Sequence, residues 1–321
     1  MELVSVIIPS YNHGRYLQQR IDSVLAQSYV NFELIILDDK SKDNSREIID
    51  LYKKNLRISH IILNEENSGS TFIQWEKGIN LSSGKYIWIA ESDDYSDINF
   101  LSDMVALLNA HPNCSLAFSQ SRYVNEEGKV LSSGFEEVDD IWKQSIILNG
   151  EKALGQFIWH TQIVNASAVV FRKEYYARLE TKDYMNFKLC GDWFFWISLL
   201  EHGGLIYNKN PLNYFRQHKS NARTSSFITN ADILEPLIIY SYFVRKHSSV
   251  VGKYEINKVK FKFKYNLYVK ICVFMKGEKI DNLGKALIKS FCQFPSLLPS
   301  LVALIFLKLI SKITNVLKTK K

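Results

Sequence analysis

Along the first third of the chain, apolar residues alternate between short unbroken runs and helical spacing. Val4–Ile8 is an apolar run of strand length broken only by Ser5, after which Leu17, Ile21, Val24 and Leu25 fall on one helical face. Glu33–Leu37 predicts a second strand, followed by a polar turn from Asp38 to Asn44 and a helix carrying Ile48, Leu51 and Tyr52. His60–Leu63 predicts a third strand. A loop with Asn67 and Gly69 leads to a helix bearing Phe72, Trp75 and Ile79; Ser83-Gly84 breaks it, and Lys85–Ala90 reads as a fourth strand. Leu101, Met104, Val105 and Leu108 predict the next helix. Strands alternating with helices imply an α/β fold with a mainly parallel sheet covered on both faces. In such sheets ligands bind outside the carboxyl ends of the strands. Three polar loops fall there: Tyr11-Asn12-His13-Gly14, Asp38-Asp39-Lys40-Ser41 and Glu91-Ser92-Asp93-Asp94.

Farther along, the pattern weakens. The stretch from about Ser121 to Gly155 is irregular and holds Gly128, Gly134 and Gly150. Asn165–Phe171 reads as another strand. Gly191–Leu200 reads as a short helix with Trp193, Trp196, Ile197 and Leu200 to one side. Beyond about Phe227 the pattern is helical and Lys-rich. The expected division is therefore 1–227 as the catalytic α/β domain and 228–321 as a basic helical region.

Composition and charge narrow the function classes. With 46% hydrophobic and 23% charged residues, the chain has the balance of a globular protein rather than a disordered one. From Ala231 onward 17 Lys or Arg face 5 Asp or Glu, a net of +12, whereas the rest of the chain carries a net of −5. An acidic body argues against nucleic acid as the partner, and the basic tail points to an anionic one. Ser296–Ile310 is apolar but interrupted by Pro299 and Lys308, and it is shorter than the ~20 residues a spanning helix needs. It reads as a helix lying on an anionic membrane surface, with a core-facing terminal helix as the alternative. Cys114, Cys190, Cys272 and Cys292 form no CxxC pair, which fits a reducing compartment. The first strand starts too early to leave room for a signal-peptide core. The expected location is cytoplasmic, peripheral at the inner face of a membrane.

Candidate chemistry lies at the strand ends. Asp93-Asp94 are adjacent carboxylates whose repulsion a hard cation such as Mg²⁺ or Mn²⁺ would relieve; the alternative is a solvated turn capping the next helix. A carboxylate of Asp38-Asp39 could accept the imide N–H of a pyrimidine, or simply shape a turn. Asp192 precedes Trp193-Phe194-Phe195-Trp196, where it could cap the helix, act as a base, or both. His218 is a lone histidine in Tyr214-Phe215-Arg216-Gln217-His218. The chain contains no GxGxxG after the first strand, no GxxxxGK[ST], no HExxH and no GxSxG, so dinucleotide, P-loop, metalloprotease and serine-hydrolase readings lose support.

Taken in order, these segments resemble the inverting family-2 glycosyltransferases of GT-A fold. The resemblance rests on Val4-Ser5-Val6-Ile7-Ile8-Pro9-Ser10-Tyr11-Asn12, Ser23-Val24-Leu25-Ala26-Gln27-Ser28-Tyr29 and Phe32-Glu33-Leu34-Ile35-Ile36-Leu37-Asp38-Asp39-Lys40-Ser41-Lys42-Asp43. It continues through Asn67-Ser68-Gly69, Gly84-Lys85-Tyr86-Ile87-Trp88-Ile89-Ala90-Glu91-Ser92-Asp93-Asp94 and Cys190-Gly191-Asp192-Trp193-Phe194-Phe195-Trp196. The resemblance implies that Pro9 and Tyr11 border the nucleotide, that Asp39 reads a pyrimidine, and that Asp93 lies near the ribose. It assigns the metal, Mn²⁺ or Mg²⁺, to Asp94 as the last acid of the DxD-type motif, with His218 beside the diphosphate or metal, and the general base to Asp192. Two departures stand out. Glu91 occupies a position where Asp is usual, and Trp75 stands where many members carry Arg, leaving Lys77 and Arg223 as candidates to meet the diphosphate. The implied activity is transfer of a sugar from a nucleotide-diphosphate donor to an acceptor hydroxyl, and the basic tail points to a lipid-linked glycan of surface polysaccharide synthesis as the acceptor. A nucleotidyltransferase, or a non-catalytic nucleotide-sugar-binding or membrane scaffold protein, are the alternatives.

Overall fold

The computed structural model describes residues 1–132, 140–159, 161–218, 230–247, 253–274, 283–295 and 298–299. The chain divides into two compact units, one of residues 1–187 with 191–219, the other of residues 188–190 with 220–321. The expected boundary near Phe227, Arg223, and nearly all of Ser296–Ile310 lie outside the described residues.

The first unit is built on a ten-stranded sheet. Its parallel half holds β1 (Val4–Ser10), β2 (Phe32–Asp38), β3 (Ile58–Leu63) and β4 (Tyr86–Ile89), with helices α1 (Gly14–Leu25), α2 (Ser45–Tyr52) and α3 (Thr71–Leu81) as the crossovers. These are the strands and helices that the apolar runs predict. β1 is buried at every position, as a strand covered on both faces must be. Val4, Val6 and Ile8 meet Leu17, Ile21 and Val24 in one apolar cluster, while Ile7 turns to the opposite face. There α3 lies so close that a Cβ on Gly78 would stand 2.4 Å from Ile7 Cγ2, so that position admits no side chain.

The other half of the sheet holds β5 (Tyr95–Ser96), β6 (Cys114–Val124), β7 (Val130–Ser132), β8 (Ile146–Leu148), β9 (Val169–Arg172) and β10 (Gly204–Arg216). Along the sheet the order is β3-β2-β1-β4-β9-β6-β10-β5, with β7 on β6 and β8 on β10. β9 runs antiparallel to both β4 and β6, and β10 is parallel to β6. The carboxyl ends of β1, β2, β4, β6 and β10 therefore share one edge, and the amino end of β9 arrives at it too. Helices α4 (Phe100–Ala110), α5 (Gly150–Phe157), α6 (Lys173–Tyr176) and α7 (Gly191–Leu200) complete the unit. α7 is apolar all round, with nine of its ten residues buried, and it packs Phe195 and Trp196 on Trp75 and Phe171. Gly191 permits this: a Cβ there would lie 2.6 Å from the Phe72 ring of α3.

The second unit is helical where described: α8 (Ala231–Lys246), α9 (Lys253–Phe274) and α10 (Leu283–Gln293). The Glu235 carboxylate of α8 accepts the backbone N–H groups of Lys188, Leu189 and Cys190 at 2.7, 2.9 and 2.7 Å. Lys270 of α9 is buried and ion-paired to Asp232 at 2.8 Å. Among the described residues no helix is long and apolar enough to cross a membrane.

Candidate active site

The three polar loops converge at the carboxyl edge, and their own hydrogen bonds fix them. Asn12 adopts a left-handed φ of 56°; its N–H donates to Ser41 Oγ at 2.9 Å and its Oδ1 accepts from Lys42 N at 2.7 Å. Asp43 accepts from Gly14 N at 2.8 Å. The loop after β1 is thereby tied to the loop after β2. Pro9 is buried in β1, and Tyr11 projects from this junction, 42% exposed. A large ring held out at a strand end is a surface on which a planar group can stack.

After β4 the chain makes a four-residue turn, closed by Asp94 N donating to the Glu91 carbonyl at 3.3 Å. Ser92 and Asp93 form the tip, and Asp93 meets His218 just past β10, with His218 Nε2 and Asp93 Oδ2 2.8 Å apart. His13, at the start of α1, approaches the same point, its Nδ1 2.8 Å from Ser92 Oγ. Among the described residues, His13, Asp93 and His218 each offer one ligand atom, and these atoms lie within 4.8 Å of one another. Burial alone would raise the Asp93 carboxyl. The His218 bond and the two histidine charges reverse that and hold it below its ordinary value. The same bond raises His218 above the ordinary imidazole value. Burial, and then the Asp93 charge, push Glu91 up to about 8 against the bond from Trp75 Nε1 at 2.8 Å.

The structure places Asp94 differently from the expectation that it holds the metal. It is 1% exposed. Its Oδ2 accepts from Asn165 Nδ2 and Ser167 Oγ, both at 2.7 Å, its Oδ1 accepts from Arg216 N at 3.0 Å, and Arg20 stands 3.8 Å away. With both oxygens engaged and turned into the fold, Asp94 anchors the turn, and Asp93 is the carboxylate that faces the two histidines. Asp39 is likewise turned inward. It accepts from Asn64 Nδ2, Gln74 Nε2, Ser68 N and Ser68 Oγ, and so holds the loop before α3 instead of presenting an open acceptor. Lys77 donates to Asn64 Oδ1 at 2.6 Å. Trp75, in place of the expected Arg, fixes Glu91.

Asp192 sits in the first turn of α7, half-buried, and accepts from Trp193 N at 2.7 Å; the helix starts at Gly191, so Asp192 lies inside it. Packing of Gly191 on Phe72 brings this turn against the start of α3, where Thr71 Oγ1 lies 3.5 Å from Glu91 Oε1.

Sequence reasoning missed the residues that support the turn. Arg216 donates from Nε to the Asp93 carbonyl at 2.7 Å and from Nη1 to the carbonyls of Asn125 and Glu126 at 3.1 and 2.7 Å. It thereby joins the acidic turn after β6 to the Asp93 turn. A cleft of about 400 Å³ opens there, lined by Asn125, Glu126, Glu127, Gln217 and His218. A larger cavity of about 540 Å³ lies between α4, β8 and β10 and contains none of these groups.

The chain is similar to proteins already known. Residues 5–179 match the model of glycosyl transferase family 2. A putative teichuronic acid biosynthesis glycosyltransferase, TuaG of Bacillus subtilis, is 27% identical over 65% of this chain and 76% of its own length. UDP-Glc:alpha-D-GlcNAc-diphosphoundecaprenol beta-1,3-glucosyltransferase WfaP of Escherichia coli is 26% identical over 75% of this chain and 89% of its own. Glycosyltransferase GlyG of Streptococcus pneumoniae is 40% identical, but the match takes in only 31% of this chain and 33% of that protein. Among solved structures, S. aureus TarS 1-349 in complex with UDP-GlcNAc superposes with a TM-score of 0.60 at 16% identity, covering 92% of this chain and 90% of that one. The mannosyltransferase PcManGT from Pyrobaculum calidifontis, in complex with GDP-Man and Mn²⁺, gives 0.56 at 14% identity, covering 96% and 87%. Those two likenesses carry the fold, and the family match spans more than half of the chain: this protein is a GT-A glycosyltransferase belonging to glycosyl transferase family 2.

Proposed function

We propose that the chain transfers a sugar from a nucleotide-diphosphate donor to a hydroxyl of a lipid-linked glycan in surface polysaccharide synthesis, with inversion at the anomeric carbon and a divalent cation at Asp93 and His218. The observation that carries this reading is the meeting of Asp93 and His218 at the carboxyl edge of the sheet, where ligands of such folds bind. The donor set fits a divalent ion: one ionised carboxylate and an imidazole within reach of one another. When bound, such a cation neutralises charge on the departing diphosphate.

The chain's own groups do the rest. Tyr11 offers its ring to the base, and Asp39 keeps loop 64–70 in place along the nucleotide. Asp192 takes the proton of the acceptor hydroxyl as its oxygen bonds to the anomeric carbon and the bond to the diphosphate breaks. The acceptor class is supported by the names of two relatives, one of them named for teichuronic acid and the other for a diphosphoundecaprenol acceptor. A peripheral position on an anionic membrane is supported by the second unit. Its helices expose Tyr265, Phe274 and Ile288, with Lys285 and Lys289 on the same turns of α10 as Ile288.

The test is a screen of nucleotide sugars with lipid-linked acceptors and Mn²⁺, scored by nucleoside diphosphate release and by the anomeric configuration of the product. Release of pyrophosphate would favour nucleotidyl transfer. No turnover with any donor, despite nucleotide binding, would favour a binding protein.

A further inference from the structure

The cation site above uses Asp93 and His218, yet a third donor stands beside them. His13 stands on the loop between β1 and α1, directly before the helix. Its ring lies 5.7 Å from the His218 ring, centroid to centroid, at 80°. Its ligand atom belongs to the same group within 4.8 Å. Nδ1 lies 2.8 Å from Ser92 Oγ, and in the tautomer whose Nδ1–H donates to that hydroxyl, Nε2 keeps its lone pair for an ion. The loop is held as well, by Asp43 on the Gly14 amide and by Ser41 and Lys42 on Asn12. A metal-binding imidazole needs an outer hydrogen-bond partner and a fixed backbone, and His13 has both.

We propose that His13 is a third protein ligand of the cation, so that the site binds a first-row transition ion in preference to Mg²⁺ and takes it up before the nucleotide arrives. This rests on the reading of the chain as a cation-using transferase. Two consequences follow from the donor set. Mg²⁺ keeps its waters and favours oxygen ligands, so replacing oxygen with two imidazoles disfavours it relative to Mn²⁺ and, more strongly, Co²⁺. A site with a single carboxylate depends on substrate phosphates to complete its hold on an ion. Three protein ligands within one cluster do not, because the ion already has half of an octahedral shell.

The experiment uses the purified full chain, stripped with chelator and free of nucleotide. Mn²⁺ is titrated and the free ion followed by its electron paramagnetic resonance; Co²⁺ and Mg²⁺ then compete. Pulsed measurements count nitrogen couplings to the bound ion. The wild type should bind Mn²⁺ without nucleotide, show two imidazole nitrogens, and release the ion to Co²⁺ far more readily than to Mg²⁺. His13→Ala should weaken binding by more than about tenfold, the lower bound for losing even an outer partner of a metal ligand, and leave one nitrogen coupling. His13→Gln preserves a polar partner for Ser92 and guards against a folding defect; it should also lose one coupling, and metal-free thermal unfolding reports the fold of both. His13→Asp should shift the preference towards Mg²⁺ by exchanging nitrogen for oxygen. If both His13→Ala and His13→Gln keep wild-type affinity and both couplings while His218→Ala loses them, His13 is no ligand although the cation reading stands. If the wild type binds Mn²⁺ only with nucleoside diphosphate present, the proposed order is overturned. If it binds no Mn²⁺ under either condition, the cation reading itself falls.

Discussion

Asp94→Asn should destabilise the fold rather than act on a metal directly. The two Asp94 oxygens accept from three donors, Asn165 Nδ2, Ser167 Oγ and Arg216 N, and Arg20 lies 3.8 Å away with its side chain 0% exposed. Asn offers one acceptor oxygen and one NH₂ group. With the oxygen towards Asn165 and Ser167, the NH₂ confronts the Arg216 N–H; flipped, it confronts the Asn165 NH₂. Either way a buried donor is left without an acceptor, at about 1–3 kcal/mol. Arg20 also loses its nearest counter-charge, and breaking a buried ion pair from one side costs about 3–5 kcal/mol. The two penalties share the same carboxylate and do not add, so the larger sets the expectation. At about 2–4 °C per kcal/mol for a domain of this size, Tm should fall on the order of 6–20 °C. Asp93→Asn is the control. Its side chain keeps an acceptor for His218, so Tm should move little while Mn²⁺ binding collapses. Thermal unfolding by circular dichroism, paired with a metal titration of each variant, decides the matter. An Asp94→Asn protein of unchanged Tm that has lost its cation, beside an Asp93→Asn protein that retains it, would return the metal to Asp94 and refute the division of roles.

The remaining predictions are shorter. Asp192→Asn should lower kcat by roughly 10²–10⁴ with donor affinity nearly unchanged, since a base acts on the acceptor proton; turnover within a few-fold of wild type would leave Asp192 a structural residue. Glu76 accepts from Lys182, Tyr176 and Tyr184, and against the cost of burial these bonds hold its carboxyl below the ordinary value of 4.5. Because the folded value is depressed, its contribution is present above pH 4.5 and vanishes as pH falls through the folded value; Glu76→Gln should flatten that part of the urea midpoint against pH. The full chain should sediment with anionic vesicles at low salt and detach partly as salt rises, each Lys near the surface adding about 1 kcal/mol that ions screen; indifference to such vesicles would make the helical unit a protein interface.

The parallel half of the sheet was legible because β1, β2 and β4 are buried on both faces and read as near-continuous apolar runs. β6 and β10 were not. Ser115, Ser119 and Ser121 of β6 are buried polar residues, and β10 is interrupted at Asn208 and Pro211, where its register on β6 shifts. Polar groups in these strands satisfy one another, as Asn213 Nδ2 does by donating to Ser121 Oγ at 3.0 Å, and hydropathy cannot see a pair formed across a sheet. One signal was present and unused. Arg20 falls on the apolar stripe of Leu17, Ile21 and Val24, and a charged residue at a core position calls for a buried partner of opposite sign. That partner is Asp94.

Why one of two adjacent carboxylates turns inward follows from topology rather than from the motif. The four-residue turn after β4 leaves Asp93 at its tip, while Asp94 leads back into β5 and so re-enters the fold. A carboxylate there needs donors on every side. They arrive because β9 runs antiparallel to β4, bringing Asn165 and Ser167 to the carboxyl edge just before that strand begins, and because β10 ends beside them with the Arg216 N–H. Arg20 supplies the charge from α1. With Asp94 neutralised from the protein side, the counter-charge for Asp93 must come from the cleft side, where the described groups that face it are His13 and His218. Two like charges one residue apart are tolerated because each is given its own partner, and only the partner on the cleft side can be exchanged for an ion. Spacing along the chain is the same for both acids, so it could not have told them apart.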